Sequence, residues 1–184
     1  MGLQENGRCV ISLKIAVCPG SFDPVTLGHI DIIRRSAGIF DKVIVVVMGN
    51  SSKHPMFSQE ERVEMIRRAT TDISGVEVEY YNGLLVEFAR DHGAAVIVKG
   101  LRAMSDFEYE FQMALTNRRL NPDLETVFLN TTAEYMFLSS SLVKQVGILG
   151  GDFGGFVPQC IEEDIRKKIN IIRNDTKGKG MDVK

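Results

Sequence analysis

The feature that most constrains this chain is its alternation of short, continuous apolar runs with longer amphipathic stretches. A run such as Val43-Ile44-Val45-Val46-Val47 leaves no polar face for solvent. It therefore reads as a strand covered on both sides, which is the condition of a parallel sheet. Four segments have this character and a fifth fits less well: residues 14–18, 42–48, 76–81, 94–98 and 126–129. The third, Val76-Glu77-Val78-Glu79-Tyr80, alternates instead, which predicts a sheet edge. Between the runs lie helical patterns with capping signals. Ser58 followed by Glu61 and Ser105 followed by Glu108 each have capping-box spacing. Gly93 is placed to close the helix that carries Leu84, Phe88 and Ala89. Strands alternating with helices imply right-handed βαβ units. The expected fold is α/β: a Rossmann-like five-stranded parallel sheet with helices on both faces and further C-terminal helices.

The 184 residues suit one domain, expected over residues 14–173. Residues 1–13 read as an N-terminal extension and the polar segment 174–184 as a frayed tail. The net charge of −2 creates no global field for nucleic acid, so an anionic ligand must be held by local groups in a pocket. The cysteines, Cys9, Cys18 and Cys160, are odd in number and form no CxxC pair, which argues against a disulfide framework or a zinc site. Cys18 reads as packing. The N-terminus lacks an apolar signal-peptide core and no long apolar run is present, so a cytoplasmic location with no membrane span is expected.

In a parallel sheet, ligands bind beyond the carboxyl ends of the strands, so the strand-to-helix turns are where chemistry is expected. The first such turn reads Pro19-Gly20-Ser21-Phe22-Asp23-Pro24-Val25-Thr26-Leu27-Gly28-His29, with a helix expected from about Ile30. A glycine beside a helix start lets an anion approach free backbone N–H groups. A histidine there can donate to a phosphate oxygen as charge builds on it. Alone, His29 would read as a capping or surface residue; its surroundings favour the site.

Gly-Ser-Phe-Asp-Pro followed by Thr-Leu-Gly-His resembles the T/HxGH signature of the nucleotidyltransferase α/β-phosphodiesterase superfamily. The resemblance extends through Ser51-Ser52-Lys53-His54-Pro55-Met56-Phe57, Asn82-Gly83-Leu84-Leu85, Lys99-Gly100-Leu101-Arg102, Asp106-Phe107-Glu108-Tyr109-Glu110, Thr116-Asn117-Arg118 and Ser139-Ser140-Ser141-Leu142-Val143-Lys144. In that order the chain is similar to the phosphopantetheine adenylyltransferase family, from about Lys14 to Ile172.

The resemblance implies an enzyme that joins ATP to 4′-phosphopantetheine, giving dephospho-coenzyme A and pyrophosphate. It implies Mg²⁺ carried by the ATP phosphates with no dedicated protein metal ligands, a homohexamer, and coenzyme A as a feedback ligand. His29, Lys53 and Arg102 are its catalytic candidates. ATP would be held by Ser21, Phe22, His29, Gly100, Leu101, Arg102, Glu110, Tyr135, Ser139, Ser140 and Ser141. Phosphopantetheine would meet Ser21, Lys53, Leu84, Leu85, Lys99 and Asn117. Lys99 stands where family members usually have Arg, so a bidentate fork becomes a point charge. The rival readings are a related transferase using another acceptor, such as nicotinamide mononucleotide, and a nucleotide-sensing module without turnover.

Overall fold

The computed structural model describes residues 13–49 and 55–179. Its elements run β1 (Ile15–Gly20), α1 (Leu27–Ala37), β2 (Lys42–Met48), α2 (Gln59–Ala69), β3 (Val76–Tyr81), α3 (Leu85–Asp91), β4 (Val96–Leu101), α4 (Met104–Leu120), β5 (Glu125–Asn130), α5 (Ser140–Ile148) and α6 (Gln159–Lys179). The five strands form one parallel sheet in the order β3-β2-β1-β4-β5. The alternating strand β3 lies at an edge, as its pattern predicts.

The pleat sends alternate strand residues to opposite faces. Ala16, Cys18, Val43, Val45 and Val47 join Ile33 of α1, Ile66 of α2 and Ile161, Ile165 and Ile169 of α6 in one apolar cluster. Val17, Ile44 and Val46 join Val86, Phe88 and Ala89 of α3 in another. Continuous apolar strands are thus covered on both sides.

Several boundaries differ from the sequence reading. Strand β1 runs to Gly20, past the expected end at Cys18, because its residues stay paired with β2 through Gly20 opposite Val47. Pro19 is tolerated there because the pairing of β1 with β4 stops at Val17 opposite Ile97, so its missing N–H removes no bond on that side. Likewise β4 reaches Leu101, paired with Asn130, so Lys99 and Gly100 are strand residues. Helix α1 begins at Leu27 rather than near Ile30, because Thr26 caps it.

Ser58 and Glu61 form the expected capping box. The Ser105–Glu108 box does not occur at a helix start, since α4 begins at Met104 after the uncapped Ala103. Gly93, at φ 63°, follows α3 in the left-handed conformation that glycine adopts without strain. The tail expected to fray from Asn174 continues α6 to Lys179, since extending a packed helix adds a hydrogen bond per residue without a new nucleus. Residues 180–184 lie outside the described residues. No helix among the described residues is long and apolar enough to cross a membrane.

Candidate functional site

The sheet grows one way from β1 to β2 and the other way from β1 to β4, which makes the β1/β4 junction its switch point. Beyond Val17 and Ile97 these two strands are no longer paired. The gap opens into a cleft of about 520 Å³, a size suited to a nucleotide-sized ligand. Ser21, Phe22, His29, Lys99, Gly100, Arg102, Glu110, Ser139, Ser140 and Ser141 all line it. Residues from four separate stretches of sequence therefore converge on one opening.

His29 is fixed by the start of its own helix. The Thr26 hydroxyl accepts from the His29 backbone N–H, and the Thr26 backbone N–H donates to His29 Nδ1 at 3.0 Å. This is a capping box with histidine in the place usually filled by Glu or Gln. Because Nδ1 accepts, the proton of the neutral ring sits on Nε2. Phe22 packs edge-on to the imidazole, with ring centroids 5.1 Å apart. Phe22 itself has φ 46°, an uncommon conformation for a bulky residue and one found at functional turns. Gly20 accommodates that ring, since a Cβ at position 20 would come within 2.8 Å of it.

Burial, then the nearby charges of Arg102 and Lys99, push the His29 pKa down from 6.5 to about 4. The half-buried ring is thus uncharged near neutral pH, with Nε2–H as its one ring donor. Burial also pushes the Cys18 thiol up to about 11, against a smaller opposing effect of Lys99. Cys18 borders the cleft as an unreactive thiol, which fits its reading as packing.

The cations carry partners. Lys99 Nζ lies 3.1 Å from Glu110 Oε2. Arg102 Nε donates to Asp106 Oδ2 at 3.1 Å, and its Nη1 donates to the Leu138 carbonyl at 2.7 Å. Arg102 therefore links the end of β4 to the turn before α5 and is held ready at the cleft.

The three serines are not equivalent. Ser139 is the N-cap of α5 and its hydroxyl accepts from the Leu142 N–H at 3.0 Å. The Ser140 hydroxyl donates to the Pro24 carbonyl at 2.8 Å. Two of the three serine hydroxyls expected to meet ATP thus already have structural partners. What faces the cleft is the positive end of α5 together with the exposed Ser141.

Other expected site residues stand apart from the lining. Leu84 is exposed at the N-cap of α3, while Leu85 packs against the apolar cluster of the α3 face. Asn117 is buried on α4. Leu101 ends β4 without lining the cleft. Tyr135 backs the first turn, its Cβ being 3.4 Å from where a side chain on Gly28 would begin. Lys53 lies outside the described residues.

Sequence reasoning missed Thr26 and Asp106. Both were legible, Thr26 as an N-cap residue three before His29 and Asp106 at the i,i+4 position from Arg102. It also passed over Asp23 and Arg62. Arg62, buried on α2, donates to the Ser21 carbonyl at 2.8 Å and braces the first turn from below.

A cytidylyltransferase-like family model matches residues 17–146. A phosphopantetheine adenylyltransferase from Clostridium tetani is 56% identical over 158 residues, covering 86% of this chain and 99% of the relative. Those from Caldanaerobacter subterraneus and Moorella thermoacetica are each 54% identical, covering 85% and 87% of this chain and 98% and 100% of the relatives. Among solved structures, a putative nicotinate-nucleotide adenylyltransferase from Vibrio parahaemolyticus superposes with a TM-score of 0.63 over 84% of this chain and 99% of its own. At 17% identity that likeness concerns the fold alone.

Proposed function

The chain belongs to the phosphopantetheine adenylyltransferases of the cytidylyltransferase-like family, and from that premise we propose that it transfers the adenylyl group of ATP to 4′-phosphopantetheine. The products are dephospho-coenzyme A and pyrophosphate, a step of coenzyme A synthesis. The observation that carries the mechanism is the neutral His29, whose Nδ1 is occupied by the Thr26 N–H beside two cations. The identity of the acceptor is supported by relatives that match nearly end to end.

A phosphate oxygen of phosphopantetheine attacks the α-phosphorus of ATP, and the bond from that phosphorus to the bridging oxygen of the β-phosphate breaks. The attacking phosphate, with a second pKa of about 6, is already largely ionised near neutral pH, so no protein base is required. Catalysis then rests on position and on charge stabilisation. His29 donates its Nε2–H to an α-phosphate oxygen as negative charge accumulates there. Arg102 leaves Asp106 in part to meet the nucleotide phosphates, and the N-terminus of α5 with Ser141 receives the β- and γ-phosphates. Ser21 and Phe22 border the nucleotide, Glu110 and Gly100 line its pocket, and Tyr135 supports the turn behind it. Lys99 and Lys53 hold the acceptor phosphate; Leu84, Leu85 and Asn117 are assigned to the pantetheine arm.

The carboxylates lining the cleft, Asp106 and Glu110, are engaged by Arg102 and Lys99, which fits Mg²⁺ carried on the triphosphate oxygens rather than in a protein cage. When bound, the ion neutralises charge on the pyrophosphate leaving group. We assign a homohexamer, supported by apolar side chains left exposed on α4, among them Phe111 at 45% and Leu115 at 55%. A cytoplasmic location and feedback by coenzyme A, which contains both the pantetheine and adenylyl parts, complete the reading.

A pyrophosphate-release assay comparing phosphopantetheine, nicotinamide mononucleotide and glycerol 3-phosphate as acceptors tests the assignment. Turnover confined to phosphopantetheine is expected. Preference for either other acceptor, or ATP binding with no turnover on any, would replace it.

A further inference from the structure

Asp23, only 6% exposed, is the meeting point of three segments that sequence leaves far apart: the first turn and the start of α5, which both line the cleft, and the connection between β2 and α2. Its Oδ1 accepts from the Phe57 N–H at 3.0 Å, and its Oδ2 accepts from the Met56 N–H at 3.0 Å and from Lys144 Nζ at 2.7 Å. Asp23 belongs to the first turn, six residues before His29. Met56 and Phe57 lie between β2 and α2, in the connection that also contains Lys53. Lys144 projects from α5, the helix whose N-terminus faces the cleft. The neighbouring bond from the Ser140 hydroxyl to the Pro24 carbonyl closes the same junction, and Arg62 holds Ser21 beside it.

Charge-assisted bonds to a buried carboxylate are short and directional, so this junction fixes relative positions more firmly than apolar contact would. With Nζ bonded to Asp23, the Lys144 ammonium is occupied away from the lining of the cleft. We propose that Asp23 and Lys144 form a positioning pair for the transfer: it sets the α5 phosphate cradle and the connection into α2 at the separation needed to align attacking and leaving oxygens around His29. This rests on the adenylyl-transfer reading. Its signature is loss of alignment with both substrates still bound, because neither side chain touches a substrate. A small error in such alignment is costly, since displacing reacting groups by about 1 Å can lower a rate about 10²-fold.

The test is steady-state pyrophosphate release by the full chain carrying Lys144→Met, Lys144→Arg, Asp23→Asn or both Lys144→Met and Asp23→Asn, with thermal unfolding measured in parallel. The wild-type protein must first turn over phosphopantetheine; if it does not, the adenylyl-transfer reading fails independently of the pair. Given turnover, Lys144→Met is expected to lower kcat by about tenfold or more. The KM values for ATP and phosphopantetheine should stay within about threefold of wild type, with partial rescue by Lys144→Arg and a double variant no worse than the worse single one. A kcat within about twofold of wild type in folded Lys144→Met overturns the proposal. So does a rise in the ATP KM with kcat retained, which would make Lys144 a direct ligand of the nucleotide phosphates. If Lys144→Met does not fold, Lys144→Arg decides: reduced kcat with both KM values retained supports the pair, and unchanged kcat overturns it.

Discussion

The backbone N–H of Thr26 donates to Nδ1 of His29 across 3.0 Å, so one hydrogen bond both closes the first turn of α1 and selects the imidazole tautomer. The side chain proposed to act on the α-phosphate is thus also part of the helix cap. The helix start occupies Nδ1, while burial and the charges of Arg102 and Lys99 keep the ring neutral.

This neutrality has a pH signature. The folded-state pKa of His29, about 4, lies below its ordinary value of 6.5, so the unfolded chain takes up the proton first. The stabilising contribution of the neutral ring is complete above 6.5 and is lost as pH falls from 6.5 toward about 4. Nitrogen-resolved NMR titration should find His29 protonated on Nε2 alone at pH 7 and charging only near pH 4. The acid limb of kcat/KM should instead follow the substrate phosphate, near its second pKa of about 6. An imidazole titrating at its ordinary value would contradict the assigned environment.

Thr26→Ala removes the hydroxyl of the cap but leaves the backbone N–H that holds Nδ1. Urea unfolding should show a loss of about 1 kcal/mol, the usual cost of an N-cap hydroxyl. Turnover should fall by less than in His29→Ala, because the tautomer is still selected.

The two outer serines should separate by experiment. Ser139→Ala loses the cap of α5 and should cost about 1 kcal/mol in urea unfolding. Ser141→Ala, at an exposed position on the cleft, should leave stability within about 0.5 kcal/mol and raise the KM for ATP. Reversal of this pattern would exchange their roles.

Lys99→Ala should raise the KM for phosphopantetheine more than that for ATP, read from initial rates with each substrate varied in turn. It also frees Glu110 from its ion pair, placing an unpaired carboxylate in the cleft. Equal weakening of both substrates would count against assigning Lys99 to the acceptor phosphate.

The strand cores and the first turn were legible because an apolar run and a helix-capping pattern are local in sequence. Where the strands end was less so. The apolar runs stop at Cys18 and Val98, yet Pro19 and Lys99 both lie within strands, because pairing of β1 with β2 and of β4 with β5 carries the backbone onward. The opening of the cleft follows from pairing that stops between β1 and β4, a relation between residues about eighty positions apart that no local pattern records. His29 was legible as a residue of the cleft and Thr26 as the N-cap three residues before it, although this capping box uses histidine in place of Glu or Gln. Asp23 stands within the first-turn motif, but its bonds to Met56, Phe57 and Lys144 depend on three segments meeting in space.

The central claim is that a neutral imidazole stabilises charge at the α-phosphate, and His29→Ala tests it most directly. Turnover should be measured by pyrophosphate release, with ATP affinity measured separately by calorimetry. A fall in kcat of at least about 10²-fold with ATP affinity largely retained is expected. Turnover equal to wild type would contradict it.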